Sequence, residues 1–196
     1  KRIVVILDKC FADIDKAKQN LEKNLQNAKD LFQSQLNQIF SQKGEGWEEK
    51  KLGDISNVTY GFTYKSLDDG DFRYVRITDI NNDGELTSAA KKYVKSSDDG
   101  KNFILQENDI LMARTGATFA KLLLYKDLEP SIFASYLIKI DFTEDIENEL
   151  YWFYSKSSSY WNQANSLSSG AAQPHFNGKA LKQVIFPYPK VKDQQI

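Results

Sequence analysis

Residues 3–40, IVVILDKCFADIDKAKQNLEKNLQNAKDLFQSQLNQIF, decide the architecture of this chain. Apolar side chains fall at Ile3, Leu7, Cys10, Ile14, Ala17, Leu21, Leu25, Ala28, Phe32, Leu36 and Ile39, at a mean spacing of 3.6 residues. That is the period of a straight α-helix, and it draws a single apolar stripe down the segment. No Pro or Gly interrupts the stripe before Gly44 and Gly46, which supply a stop. About 40 residues at about 1.5 Å each make a rod roughly 60 Å long. Such a rod outreaches a small domain, so its stripe is expected to meet a second long helix, with Leu7, Ile14, Leu21, Leu25, Phe32 and Leu36 as pairing positions. The 3-4-4 steps favour a nearly straight pair over a tight heptad supercoil. A helix packed wholly on its own domain is the competing arrangement.

After Gly46 the pattern changes. Short β-rich runs at 72–78, 109–113, 119–125 and 131–140 alternate with turn clusters at Asp68-Asp69-Gly70, Asn81-Asn82-Asp83-Gly84 and Asp98-Asp99-Gly100. Helical patterning returns at 146–156 and 160–165. A polar loop (166–174), a short segment at 179–183 and a strand at 184–186 follow. Strands first and helices later predict an α+β domain over residues 44–192, preceded by the helix at 1–43. No glycine-rich strand-to-helix turn of the dinucleotide type occurs.

The composition supplies a core: 41% of the 196 residues are hydrophobic and 13% aromatic. One cysteine, Cys10, excludes an internal disulfide framework and suits a reducing, cytoplasmic setting. No apolar run approaches the roughly 20 residues of a membrane span, and no signal peptide is read at the start. The net charge of −1 argues against a nucleic-acid binder, but its distribution does not. Residues 150–192 carry five lysines (156, 179, 182, 190, 192) and no acid, and 110–126 carry Arg114, Lys121 and Lys126 and no acid. Between them, 127–149 holds seven acids against Lys139. Segregation of this kind permits one basic face on a neutral protein, and equally two solvated faces with no partner.

Several stretches, taken in order, resemble a known family. Lys1-Arg2-Ile3-Val4-Val5-Ile6-Leu7-Asp8, Glu22-Lys23-Asn24-Leu25 and Ala28-Lys29-Asp30-Leu31-Phe32 are similar to the conserved helical region of type I restriction-modification specificity subunits. Trp47-Glu48-Glu49-Lys50-Lys51-Leu52-Gly53-Asp54-Ile55 resembles the start of their target-recognition domains. Ile77-Thr78-Asp79-Ile80, Gly116-Ala117-Thr118 with Lys121, Ile185-Phe186-Pro187-Tyr188-Pro189 and Gln194-Gln195-Ile196 continue the match. The resemblance implies one half of such a subunit: a spacer helix, a target-recognition domain, and at 193–196 the start of a second conserved helix. It implies an antiparallel helix pair, formed with a second half-subunit or by self-dimerisation. Double-stranded DNA, a modification methyltransferase subunit and a restriction endonuclease subunit are the expected partners, with methylation and cleavage carried by those subunits and no cofactor held here.

A rod of about 60 Å spans roughly 18 base pairs at 3.4 Å each, which suits two half-sites and an unread spacer. Base readout needs paired donors and acceptors on exposed loops: arginine for guanine, Asn or Gln for adenine, Thr and aromatics for the thymine methyl. The candidates are Thr63, Tyr64 and Lys65; Arg76, Thr78, Asp79 and Asn81; Arg114, Thr115 and Thr118; Gln173, His175 and Asn177. Gly116 and Gly170 would let backbone amides approach phosphate, and Lys121, Lys179 and Lys182 suit phosphate contact. His175 could stack on a base or pack beside Phe176. Trp152, Tyr154, Tyr160 and Trp161 could form a stacking surface or belong to the core.

Catalytic readings find little footing. One His and one Cys cannot build a clustered metal site, no nucleophile elbow is present, and Gly178-Lys179-Ala180 lacks the hydroxyl and spacing of a nucleotide loop. The rival functions are a helical scaffold carrying a protein-binding module and the recognition domain of a fused restriction-methylation enzyme.

Overall fold

In the computed structural model, which describes residues 2–44, 46–170 and 175–189, the apolar stripe winds into one helix, α1 (Arg2–Gln42). Positive φ angles at Lys43 (43°) and Gly46 (84°) turn the chain out of it. Every residue from 2 to 32 is exposed, including Leu7, Ile14, Leu21 and Leu25. Only the last turns reach the rest of the molecule. Leu36 and Phe40 are buried, and the Phe40 ring meets Tyr154 at 5.1 Å and Trp47 at 5.9 Å. Gln33 Nε2 donates to the Lys156 carbonyl at 3.0 Å, and the Ser158 N–H donates to Asn37 Oδ1 at 2.8 Å. Leu36, expected to face a second helix, is thereby corrected to a core residue of its own domain. The exposed stripe runs from Ile3 to Phe32, whose ring meets Phe153 at 6.4 Å, and is about 45 Å long at about 1.5 Å per residue.

The remaining elements, in chain order, are β1 (Glu48–Lys51), α2 (Leu52–Ile55), β2 (Ser56–Tyr60), β3 (Phe72–Val75), β4 (Tyr93–Val94), β5 (Ile110–Ala113), β6 (Leu122–Leu124), β7 (Ser131–Phe133), β8 (Leu137–Phe142), α3 (Asn148–Tyr154), α4 (Ser158–Leu167), α5 (Gly178–Leu181) and β9 (Ile185–Tyr188). A four-stranded antiparallel sheet has the order β2-β8-β5-β6. A three-stranded sheet, β4-β3-β7, pairs β3 parallel with β7, and β1 pairs antiparallel with β9. The architecture is α+β, as the order of strands and helices predicts.

The uninterrupted apolar runs at 110–113 and 122–124 have a direct explanation: both faces of the four-stranded sheet are covered. Successive strand residues point to opposite faces. Ile110, Met112, Leu122, Leu124, Ile138 and Ile140 enter a core shared with α3, α4, β9 and the end of α1. Leu111, Ala113, Leu123 and Leu137 enter a second core with Val75 and Phe133 of the smaller sheet. The stretch 131–140, expected as one strand, divides at 134–136 because its two halves serve different sheets. Strand β1, with sequence Glu-Glu-Lys-Lys, shows no apolar alternation, and its pairing with β9 depends on tertiary context.

The smaller sheet also holds the largest fully buried side chain, Arg73. Its guanidinium donates to Asp127 at 2.8 Å and to the Thr87 carbonyl, with Glu129 at 3.9 Å. Among the described residues, no helix is long and apolar enough to cross a membrane.

Candidate nucleic-acid interface

Antiparallel pairing in the four-stranded sheet places the C-terminal ends of β2 and β5 beside the N-terminal ends of β6 and β8. Tyr60, Arg114, Lys121 and Tyr136 therefore stand at one end of one sheet. Parallel pairing of β3 with β7 carries residues 76–80 to the same side as 134–136. A bridge between Phe62 and Ala134 adds the 61–65 loop. A β-carbon built on Gly61 would lie 2.3 Å from the Ala134 carbonyl oxygen, so glycine is required at that crossing. A 3-10 turn, Ile77–Asp79, packs on a second, Gly116–Thr118, where Thr118 Oγ1 donates to the Ile77 carbonyl at 3.4 Å. His175 closes the group through bridges to Thr115 and Ser169. Five loops distant in sequence thus meet at one edge.

Arg114 sits at their centre. Its guanidinium carbon lies 4.8 Å from the Tyr60 ring centroid and 5.9 Å from that of Tyr136, and Nη1 donates to the Ser135 carbonyl at 3.2 Å. The Tyr60 hydroxyl accepts the Gly178 N–H at 2.7 Å, joining β2 to the first turn of α5. Tyr60 and Tyr136 were not among the sequence candidates. An aromatic flanking a strand end (Tyr60 before Gly61, Tyr136 before Leu137) was the available signal, but only the pairing of β2 with β8 brings the two together.

The other candidates divide by how their polar groups are used. Thr63, Lys65, Thr78, His175, Asn177 and Lys179 are exposed at or beside this edge. Lys65 and Lys179 make no ion pair among the described residues. Asn177 caps α5, its Oδ1 accepting from the Ala180 N–H at 3.0 Å. Gly116 and Gly170 take φ of 79° and 92°, the left-handed region glycine enters without strain. The Tyr64 ring lies against Phe62 at 4.5 Å, and its hydroxyl is bonded to Ser97. The Tyr64 N–H donates to the Tyr74 hydroxyl, which in turn donates to the Phe62 carbonyl at 2.7 Å. Burial pushes the Tyr74 phenol up, so it stays a neutral donor.

Several expectations are corrected. Arg76 and Asp79 are not free base readers: Asp79 is buried, accepting from the Arg76 backbone at 2.9 Å and from its guanidinium at 2.7 and 3.2 Å. Asn81 folds its own turn, with Oδ1 accepting the N–H groups of Asp83 and Glu85, both at 2.9 Å. Thr115 is buried. Lys121, expected to meet phosphate, stays at this edge with its charge unpaired among the described residues, donating to Asn82 Oδ1 at 2.7 Å. Lys182 lies beside Gly53, at the end of β2 opposite Tyr60, and does not join the group. Gln173 lies outside the described residues, as does the segment 193–196. Tyr154 and Tyr160 belong to the core, while Trp152 and Trp161 are half-buried against it. Lys156 lies 3.9 Å over the Trp152 ring, and burial holds its ammonium below the usual lysine range.

No curated protein sequence matches the chain. Among solved structures, it is similar to a chain from a work on complex assembly and conformational transition of the type I R-M system, with TM-score 0.73 and 15% identity over 98% of this chain and 48% of that one. The HsdS subunit from Thermoanaerobacter tengcongensis gives TM-score 0.66 at 15% identity, over 98% of this chain and 47% of that one. The type I restriction-modification S subunit from M. genitalium gives 0.59 at 15%, over 90% and 46%. The chain spans about half the length of these structures, which share its long helix and β-rich head. A family model described as type I restriction modification DNA specificity domain matches residues 44–196, and with more than half of its length covered the chain belongs to that family.

Proposed function

We propose that this chain recognises a DNA target sequence as one half of a type I specificity subunit, with the loops at 61–65, 114–118, 134–136 and 175–179 facing the duplex. The observation that carries this is the convergence of those loops at one sheet end around Arg114, on a chain whose family is a DNA specificity domain. Such an edge offers what groove recognition uses: a planar cation, hydroxyls, an imidazole and amines on a rigid frame. In this reading residues 44–192 form the target-recognition domain, residues 1–43 are the spacer, and the exposed stripe from Ile3 to Phe32 pairs antiparallel with the helix of a second half or a second copy. The domain does no chemistry of its own. It directs a methyltransferase and an endonuclease, carried by partner subunits, to the bound site in the cytoplasm.

Fluorescence anisotropy on a pool of random duplexes tests the reading. Binding through several phosphates should weaken by about a thousandfold or more between 50 and 200 mM salt, with a sequence preference that survives selection. A chain that binds no duplex with these properties, alone or with its methyltransferase, is instead a scaffold.

A further inference from the structure

We propose that Tyr60, Arg114 and Tyr136 form a guanine-reading unit, in which the two tyrosines fix the plane of the guanidinium and Arg114 addresses one guanine in the major groove. The proposal rests on the DNA-recognition reading above and names the base that this part of the surface selects. Its first support is how firmly the Arg114 backbone is placed. The Arg114 N–H donates to the Tyr136 carbonyl at 3.0 Å, and its own carbonyl accepts the Phe176 N–H at 2.9 Å. The side chain leaves a strand end clamped on both sides.

The second support is the state of the guanidinium. Of the three arginines in the head domain, Arg73 is committed to Asp127 and Glu129, and Arg76 to Asp79. Arg114 has no carboxylate partner among the described residues. Its flat group lies against tyrosine faces that are themselves 41% (Tyr60) and 55% (Tyr136) exposed, so the stack is formed at the surface and not in the core. One Nη is taken by the Ser135 carbonyl. Nε is buried without a partner, while Nη2 makes no hydrogen bond among the described residues, so a fork to a base would use Nη2 with the second hydrogen of Nη1. Cation–π stacking fixes an orientation as well as a position, and orientation is what a bidentate contact to guanine O6 and N7 needs. A fork can also close on a phosphate, and the selection below separates the two, because only a base contact changes the sequence preferred.

The third support is the brace behind the stack. Because the Tyr60 hydroxyl holds the Gly178 N–H, and a β-carbon on Gly178 would come within 2.9 Å of that hydroxyl, the ring is pinned from its far end. Tyr60 and Tyr136 are positioning residues, acting on the base through Arg114.

The test is selection from a random duplex library by the full chain, with sequencing of the bound fraction, for the native protein and for Arg114→Ala, Arg114→Lys, Tyr136→Ala and Tyr136→Phe. Thermal denaturation of each checks that it folds. The native chain should enrich a guanine at one position. Arg114→Ala should lower that preference by about 10- to 100-fold while the other selected positions persist. Arg114→Lys, which keeps the charge but loses the fork, should lose the same preference, so the result does not hang on the alanine variant alone. Tyr136→Ala should weaken it in part, and Tyr136→Phe should restore it because the ring is retained. Two outcomes overturn the inference and leave DNA recognition standing: a base profile unchanged in both Arg114 variants, or uniform weakening of all sequences with a salt slope reduced by about one, the mark of a phosphate contact. A native chain that enriches no sequence, alone or with its methyltransferase, overturns the DNA-recognition reading itself.

Discussion

The Tyr160 hydroxyl donates to the carbonyl of Ala120 at 2.6 Å, tying α4 to the turn that enters β6. Tyr151, whose ring centroid lies 6.4 Å away, is equally enclosed, yet its hydroxyl has no hydrogen-bond partner among the described residues. Burial pushes both phenols far above their ordinary range, so neither ionises in the folded protein. The two hydroxyls therefore differ in what they contribute. Tyr160→Phe should cost about 1–2 kcal/mol by stranding a buried carbonyl, whereas Tyr151→Phe should be neutral or stabilising, since it removes an unpaired polar group from the core. Urea denaturation of the two variants side by side checks the difference.

The Arg76–Asp79 pair yields a prediction of the opposite kind from Arg114. With Asp79 only 2% exposed, Arg76→Gln leaves a buried carboxylate without its cation and should destabilise by about 2–3 kcal/mol. Base preference in the selection experiment should not change. A shifted base profile with unchanged stability would mean that Arg76 reaches DNA after all.

Two leucines on one helix should behave differently. Leu36→Ala opens a cavity in the head and should lower denaturation free energy by about 2–4 kcal/mol. Leu21, 69% exposed, should cost the head nothing when changed to Ala. If the stripe pairs with a second helix, the Leu21 variant should weaken that association; urea denaturation reads the first effect and sedimentation velocity the second.

Acid stability offers a further check. The Lys91 ammonium, 2.6 Å from Glu129, holds the Glu129 carboxyl below its ordinary value of 4.5. A carboxyl depressed on folding stabilises the native state above the unfolded value and loses that contribution as pH falls through the folded one. Stability should therefore decline from about pH 4.5 downward. Lys91→Met should flatten part of this decline, though only in part, because Glu129 is partly exposed and Arg73 also faces it. Thermal midpoints measured between pH 3 and 7 for both proteins test the slope.

The helix was legible because its signal is local and long: 3.6-residue spacing over ten turns leaves no competing period. The runs expected at 109–113 and 119–125 contain the strands 110–113 and 122–124, legible from short apolar runs bounded by turn residues, although residues 119–121 of the second run lie outside the strand. What the sequence hid is where two distant segments complete one feature. Tyr60 and Tyr136 lie 76 positions apart and become neighbours only through the register of β2 on β8. Arg76 read as a loop arginine because nothing in its spacing to Asp79 reveals that the carboxylate is buried. Leu36 read as a pairing residue because it keeps the stripe's period, and only the rings of α3 and α4 show that the last turns belong to the head.

The bond from Gln33 to the Lys156 carbonyl has a mechanical consequence. Everything N-terminal to it and to the neighbouring Phe32–Phe153 contact is a cantilever, and errors at a cantilever's root grow with its length. A tilt of about 5° at that joint would swing the tip of the roughly 45 Å overhang by about 4 Å, a little more than one base-pair rise. How accurately a measured distance is held at the far end is decided by a few atoms at the near one.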